Sequence, residues 1–521
     1  MGDAHWWQRG VLYQVYPRSF QDADGDGIGD LDGVSMRLEH LEQLGVDAIW
    51  LNPVHPSPNR DWGYDVADYL DVAADLGGVA ALERLVADAS DRDIRVLLDL
   101  VPNHTSERHP WFLDALRGRA ARHRDWYVWG DPAADGGPPN NWRSVFGGSA
   151  WTLDRTSGQY YLHNFLAQQP DLNWWNEEVR DAFDAILRFW FDRGIAGFRI
   201  DVANAIVKDR LLRDDPPTDP AGPELGAIGE LPEIYSMHRP EVHDVLRRWR
   251  AIADAYEPRR VLIGETWARD LPDLARYYGA GEELHLAFNF AFATAPFEAS
   301  ALREVIDATG RALGDHAWPL WTASNHDIGR LATHWAGGDE TRVRCALFVL
   351  LMLRGTPVLY AGDEIGLTDV PVPLERRRDE GTRSDGRGRD AGRTPMPWTS
   401  EPGGGFTVSG VEPWLPLGGG TSVERQHRDP GSVLHWCRRL IGIRHDLPDL
   451  REGGQLLLDA PDGVLAWRRG AETTNVANLT AAPVRMEAAG KIVLATEPSR
   501  EGRPLDGELE PWGCVVVADP A

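Results

Sequence analysis

In the run GIAGFRIDVAN, Gly194 to Asn204, a guanidinium and a carboxylate stand two residues apart, Arg199 and Asp201. Ile195 to Ile200 reads as a short buried strand, and Asp201 stands where that strand ends and a loop begins. Side chains at i and i+2 of a strand face the same side, so Arg199 can keep the Asp201 carboxylate ionised, as an attacking nucleophile requires. A structural ion pair at a strand end would read the same in this stretch alone. Other strand ends carry similar groups: Asp99, Asn103 and His104 at and after IRVLLDL, Glu265 after VLIG, and His326 and Asp327 after LWTAS. On adjacent strands Asp201 and Glu265 would straddle one bond, the arrangement with which a retaining glycosidase attacks an anomeric carbon and protonates the leaving oxygen. Glu265, behind an apolar run, suits the proton donor. Asp327 would hold sugar hydroxyls and stabilise positive character in the transition state. His104 and His326 then serve those hydroxyls as hydrogen-bond partners, or are simply structural.

The elements that must position these groups alternate along the chain. Strand candidates are VLYQVY (11–16), VDAIWL (46–51), IRVLLDL (94–100), the central run, VLIGE (261–265), LHLAFNF (284–290), LWTAS (320–324) and PVLYAGDEIG (357–366). Helical patterning lies between them, as at Val34 to Leu44, Leu82 to Ala89 and Glu178 to Asp192. Eight strands with intervening helical or inserted segments predict an α/β fold, a (β/α)8 TIM barrel, whose active site lies at the C-terminal strand ends. The rhythm breaks between His104 and Leu172, where WGDPAADGGPPNNWRSVFGGSAW is too long for a connection, so an inserted small domain follows the third strand. Arg376 to Arg393 reads as a long loop, and a helix from Val433 to Arg444 closes the barrel. VLAWRR, TNVANL, KIVLAT and CVVVAD then predict a C-terminal all-β domain. The expected boundaries are 1–103 and 171–447 for the barrel, 104–170 for the insertion and 448–521 for a C-terminal β-sandwich.

Two further stretches offer ligands. In DADGDGIGD the oxygen-bearing Asp22, Asp24 and Asp26 alternate, Gly27 permits a sharp turn and Asp30 follows, as in the first part of an EF-hand. The twelfth position is Gly33 rather than an acid and no helix precedes, which rejects a complete EF-hand. A hard-cation loop and a solvated acidic turn remain. In NPVHPSPNRDWGYDVADY, Tyr64, Asp65 and Asp68 either line a sugar pocket or cap the next helix.

The composition narrows the partners. Against 54 basic residues the 521-residue chain carries 80 acidic ones, a formal charge of -26 that repels nucleic acid and anionic membrane surfaces. No secretory signal pattern opens MGDAHWWQRG, and no apolar stretch is long enough to cross a bilayer, so a cytoplasmic protein without membrane partners is expected. Cys345, Cys437 and Cys514 are dispersed in apolar settings without metal-ligand spacing and read as reduced core thiols. The 22 tryptophans include flat rings suited to the apolar faces of sugars.

DLVPNH, GFRIDVAN, IGET and NHD, in this order and at these spacings, resemble the four signature regions of the α-amylase family, glycoside hydrolase family 13, and QPDLNW resembles its fifth. YQVYPRSFQD, DGIGDL, GYDVADY and GRTPMPW resemble its α-glucosidase and oligo-1,6-glucosidase branch. The resemblance implies Asp201 as nucleophile, Glu265 as acid/base and Asp327 as transition-state stabiliser. It implies a first sugar subsite lined by Tyr64, Asp65, His104, Phe146, Arg199, His326 and Arg393, and a structural Ca²⁺ held by Asp22, Asp24, Asp26, Ile28 and Asp30, with no organic cofactor. An Arg393 to Asp65 pairing is expected to close the pocket beyond one glucose ring. Val202, directly after the nucleophile, looks like α-1,6-acting members. The implied activity is exo-acting, retaining hydrolysis of short α-glucosides, α-1,4 and/or α-1,6, by a monomer or small homo-oligomer. Transglycosylation or isomerisation, including trehalose-type substrates, uses the same intermediate and stays open. A non-catalytic amylase-like binding protein would have lost its carboxylates and carried a membrane segment. IGETW, with Trp267 two residues past the acid, and RDWGYD depart from the commonest wording of the branch.

Overall fold

The computed structural model describes residues 5–216, 235–379 and 388–518. Residues 380–387 of the long loop expected at Arg376 to Arg393 lie outside that description, as do the chain's first four and last three residues. In chain order the first strands are β1 (Leu12–Val15), β2 (Ala48–Leu51) and β3 (Arg95–Leu100). A small antiparallel sheet follows, from β4 (Trp129–Gly130), β5 (Trp151–Asp154) and β6 (Gln159–Leu162), inside the segment expected as an insertion. Then come β7 (Gly197–Ile200), β8 (Val261–Gly264), β9 (Leu286–Ala287), β10 (Leu320–Thr322) and β11 (Thr356–Tyr360). The barrel sheet is parallel, in the order β10-β11-β1-β2-β3-β7-β8-β9, and a parallel bridge between Phe288 and Leu320 draws its two edges together. The remaining strands are β12 (Gln455–Leu457), β13 (Val464–Arg469), β14 (Thr473–Asn478), β15 (Val484–Ala488), β16 (Lys491–Ala495), β17 (Leu505–Leu509) and β18 (Cys514–Ala518). They form a five-stranded antiparallel sheet and a two-stranded one around a shared apolar core.

The two-residue period of the strands builds the barrel interior in layers. Leu12, Ala48, Trp50, Leu97, Val261, Ile263, Leu286, Leu320 and Val358 meet in one apolar cluster that also takes in Trp7. One step further along the same faces the sequence turns polar: Gln14 after Leu12, Asn52 after Trp50, Asp99 after Leu97 and Glu265 after Ile263. The apolar plug and the acidic rim are thus successive layers of one alternation. Gly197 is required where β7 meets β8, because a Cβ there would stand 2.3 Å from the Val261 carbonyl oxygen. The outward face of β7 carries Phe198, whose ring lies 5.2 Å from that of Phe191 on the helix Glu177–Phe191. That helix starts where Asn176 accepts the Glu178 amide at 2.9 Å and buries Val179, Phe183, Ile186, Leu187 and Trp190 along one stripe.

Several boundaries differ from the sequence reading. Val34 to Leu44 divides into helices Leu31–Met36 and Leu38–Leu44, with the break at Arg37. The strand expected over 284–290 is only Leu286–Ala287, because the Asn289 side chain accepts the Phe292 amide and starts the helix Phe290–Ala293. The strand expected over 357–366 stops at Tyr360, since Gly362 takes φ 101° and a 3-10 turn follows at Asp363–Ile365. The first element of the expected C-terminal domain is a helix, Pro448–Glu452.

Candidate active site

Arg199 is the hub of the rim. Its Nη1 lies 2.7 Å from Asp201 Oδ1 and 2.8 Å from Asp99 Oδ1, and its Nη2 lies 2.6 Å from Glu265 Oε2. One guanidinium, 1% exposed, thereby joins carboxylates from the ends of three consecutive strands, β3, β7 and β8. Burial pushes the Asp201 carboxyl up against the pull of Arg199, and the charges of Glu265, Asp99 and Asp327 push the same way. Burial likewise pushes Asp99 up to about 7, with Arg199 opposing. The acids therefore compete for few positive charges, and Asp99 and Asp201 titrate as a coupled pair around the Arg199 guanidinium.

A second network orients the other side. Tyr64 donates its hydroxyl to Asp99 Oδ2 at 3.0 Å and meets His326 Nε2 at 2.6 Å, and its ring stacks on His326 with 7° between planes. Gln14 Nε2 lies 2.8 Å from His326 Nδ1, so Nδ1 accepts and the ring proton sits on Nε2, facing Tyr64 and Asp327 Oδ2 at 3.2 Å. Burial keeps His326 neutral, its pKa well below the usual histidine value. Burial would raise Asp327, but His326, Arg389 and Arg393 override it and hold this carboxyl well below the ordinary range. His104 is buried and neutral as well, its Nε2 2.9 Å from the Tyr64 carbonyl and Asn103 Nδ2 3.0 Å from its Nδ1.

The far wall is built from other residues than expected. Arg393 donates to Asp327 Oδ1 at 2.9 Å and to the His326 carbonyl at 2.9 Å; Asp65 is not its partner. Asp65 is buried and is tied to its own loop by Ser57 Oγ at 2.6 Å and the amides of Arg60 and Asp61. The ion pair formed between these two loops is instead between Arg389 and Asp61, at 2.6 Å. Arg389 also grips Asp379, through Nη2 at 2.6 Å and Nε at 2.9 Å, and reaches Asp327 at 3.2 Å. Phe146 comes from the inserted segment as expected, with the Arg389 guanidinium 5.4 Å from its ring and Phe165 6.0 Å away. Gln169 Nε2 joins Asp61 to His104, at 3.0 Å from each.

Val202 holds a left-handed backbone, φ 35° and ψ 53°, which a β-branched residue rarely adopts, and its amide donates to Glu265 Oε2 at 3.0 Å. Sequence reasoning missed Asp61, Arg389, Asp379, Phe165 and the contact from Trp267 to Glu265. For the first two the signal was present, an acid four residues before Asp65 and an arginine four before Arg393, but nothing local ranked them above those neighbours. In the acidic loop the side-chain oxygens of Asp22, Asp24 and Asp30 lie within 4.8 Å of one another. Asp26, expected with them, is not in that group; its carboxylate accepts the Ile28 amide at 2.7 Å. Asp22 takes the amides of Gly25 and Gly27, and Asp30 those of Ala23 and Gly33.

A model of the α-amylase catalytic domain matches residues 14–453. The chain belongs to the α-amylase family. Relatives in that family include a probable α-glucosidase of Rhizobium meliloti (strain 1021), 41% identical over 486 residues that span 90% of this chain and 87% of the relative. The palatinase of Erwinia rhapontici is 39% identical over 520 residues, 91% of this chain and 90% of that one. The solved structure of the α-glucosyl transfer enzyme XgtA superposes with a TM-score of 0.92 at 36% identity, covering 99% of this chain and 100% of the other. These matches place the chain in the α-glucosidase branch of the family, as its motifs imply. Among the described residues no helix is long and apolar enough to cross a membrane.

Proposed function

We propose that the protein is a retaining, exo-acting α-glucosidase that releases glucose from the non-reducing end of short α-glucosides. Asp201 attacks the anomeric carbon while Glu265 gives its proton to the leaving oxygen. Glu265 then takes a proton from water, which displaces Asp201 and frees glucose with the configuration retained. Asp327, kept ionised by Arg393 and Arg389, stabilises the oxocarbenium-like transition state through the sugar hydroxyls. Tyr64, His104 and His326 hold the ring, with Phe146 over its outer side. The observation that carries this reading is the single Arg199 guanidinium spanning Asp201 and Glu265 on adjacent strands, which fixes nucleophile and acid/base together at the barrel's C-terminal rim.

Exo action is supported by the Arg389 contacts to Asp61, Asp379 and Asp327, which wall the pocket behind the first sugar and leave the non-reducing end as the entrant. Val202 beside the nucleophile favours α-1,6 linkages. Incubation with a linear malto-oligosaccharide tests the closed wall: glucose alone should appear at the earliest times, and a spread of mid-length fragments would refute it. Kinship with an α-glucosyl transfer enzyme favours a second reading, in which a sugar acceptor replaces water. Product analysis with maltose, isomaltose and trehalose separates the two, hydrolysis giving free glucose and transfer giving new oligosaccharides. A structural Ca²⁺ at the acidic loop belongs to the same proposal. It is supported by the hard oxygen donors of Asp22, Asp24 and Asp30, whose carboxylates keep lone pairs beyond those taken by amides. A cytoplasmic setting is supported by three buried, unpaired cysteines.

A further inference from the structure

Glu265 accepts hydrogen bonds on both oxygens, and the two are not equivalent. Oε2 accepts the Val202 amide at 3.0 Å and makes an ion-pair contact with Arg199 Nη2 at 2.6 Å. Oε1 takes one donor, the indole Nε1 of Trp267 at 3.1 Å. The Val202 amide and the guanidinium charge together hold negative charge on Oε2, so the oxygen suited to carry a transferable proton is Oε1. The indole that fixes Oε1 is itself held. Its ring stacks on Phe290 at 3.9 Å between centroids and 6° between planes, and its backbone amide donates to Asn204 Oδ1 at 3.3 Å. Phe290 opens the short helix capped by Asn289, so the platform is part of the barrel rim and not a free loop. Trp267 also packs against the apolar group of Val202, Ala205 and Met237, beside the nucleophile.

We propose that Trp267 is a positioning residue for proton transfer: its N–H sets Glu265 Oε1 as the oxygen that carries the proton and aims the remaining lone pair at the leaving oxygen. This rests on the reading of Glu265 as acid/base. A donor on the oxygen that loses the proton stabilises the carboxylate as it forms, so its help is greatest for a leaving group that must be protonated to depart. An alkoxide leaving group needs that proton, whereas 4-nitrophenolate leaves with little assistance.

The test is kcat/KM of the full-length Trp267→Phe enzyme on an alkyl α-glucoside and on 4-nitrophenyl α-glucoside. This constant reports steps through glucosyl transfer to the enzyme and omits the shared hydrolysis step. Loss of the indole N–H, with an aromatic ring retained for stacking, is expected to lower the alkyl value about tenfold or more and the nitrophenyl value less than about twofold, a fraction of the usual acid/base contribution. Equal loss on both substrates, or loss on neither, overturns the proposal, since a packing role would affect both alike. Phe290→Leu keeps the N–H donor but removes its stacking partner and should give the same selective loss, smaller in size; it serves if Trp267→Phe melts early. Glu265→Gln tests the underlying reading separately. It should spare the nitrophenyl substrate relative to the alkyl one and yield a glucosyl azide when azide is added. Without that selectivity or that product the acid/base reading fails, whatever Trp267→Phe shows.

Discussion

Arg389→Met is the most direct perturbation of the closed wall. The variant keeps the length of the stem but deletes a guanidinium 10% exposed that contacts Asp61 at 2.6 Å, Asp379 at 2.6 Å and Asp327 at 3.2 Å. Asp327 retains Arg393, whereas Asp61 and Asp379 each lose their short contact with Arg389 in a buried place. Burial would raise Asp379, yet the bonds from Arg389 hold its pKa at about 2, below its ordinary 3.8. That depression corresponds to about 2 kcal/mol. Breaking a buried pair by removing one partner costs about 3–5 kcal/mol in general, so the variant is expected to lose an amount in that range at pH 7. The sign in acid follows from the same shift. A carboxyl whose pKa is lower folded than unfolded stabilises the fold above its unfolded pKa and ceases to do so as pH falls through the folded one. The gap between wild type and Arg389→Met should therefore be full near pH 7 and shrink as pH falls from about 4 through 2 and below, by about 2 kcal/mol or more, because burial without Arg389 favours the protonated Asp379 of the variant. Urea unfolding across that pH range, read by circular dichroism, measures it. A variant within about 0.5 kcal/mol of wild type at pH 7, the usual effect of a surface substitution, would refute the reasoning. So would a gap that widens in acid.

Asp201→Asn should lower turnover by about a thousandfold or more with little change in melting temperature, because the attacking carboxylate is lost at constant volume. Retention of about a tenth of wild-type turnover would reject the nucleophile assignment. Chelation is expected to lower the melting temperature before it lowers activity, since the Asp22, Asp24 and Asp30 group is not part of the Arg199 cluster. Unchanged melting in chelator, with no metal by elemental analysis, argues against the cation. Val202→Thr preserves shape at the left-handed position but sets a hydroxyl among Phe165, Met237 and Trp267. The ratio of isomaltose to maltose hydrolysis should fall several-fold, and a constant ratio would remove Val202 from linkage choice.

The layout of the rim was legible in the chain because it follows from local periodicity. Strand alternation alone puts Leu97 with Asp99, Gly197 with Arg199 and Asp201, and Ile263 with Glu265 on inward faces, and parallel pairing of β3, β7 and β8 brings those faces together. Four spaced motifs then implied the family without any coordinate. The wall of the pocket was not legible in the same way. Arg389 and Asp61 meet across 328 residues, on loops whose path follows no period, so an equally plausible acid and arginine four residues along were chosen in their place. The one guanidinium shared by three carboxylates, the left-handed turn at Val202 and the indole on Glu265 likewise depend on the distances between strand ends. Sequence determines which side of a strand a group faces, because that is set by its neighbours in the chain. Only the tertiary structure decides which charge it meets, because a Coulomb or hydrogen-bond partner is selected by distance in space.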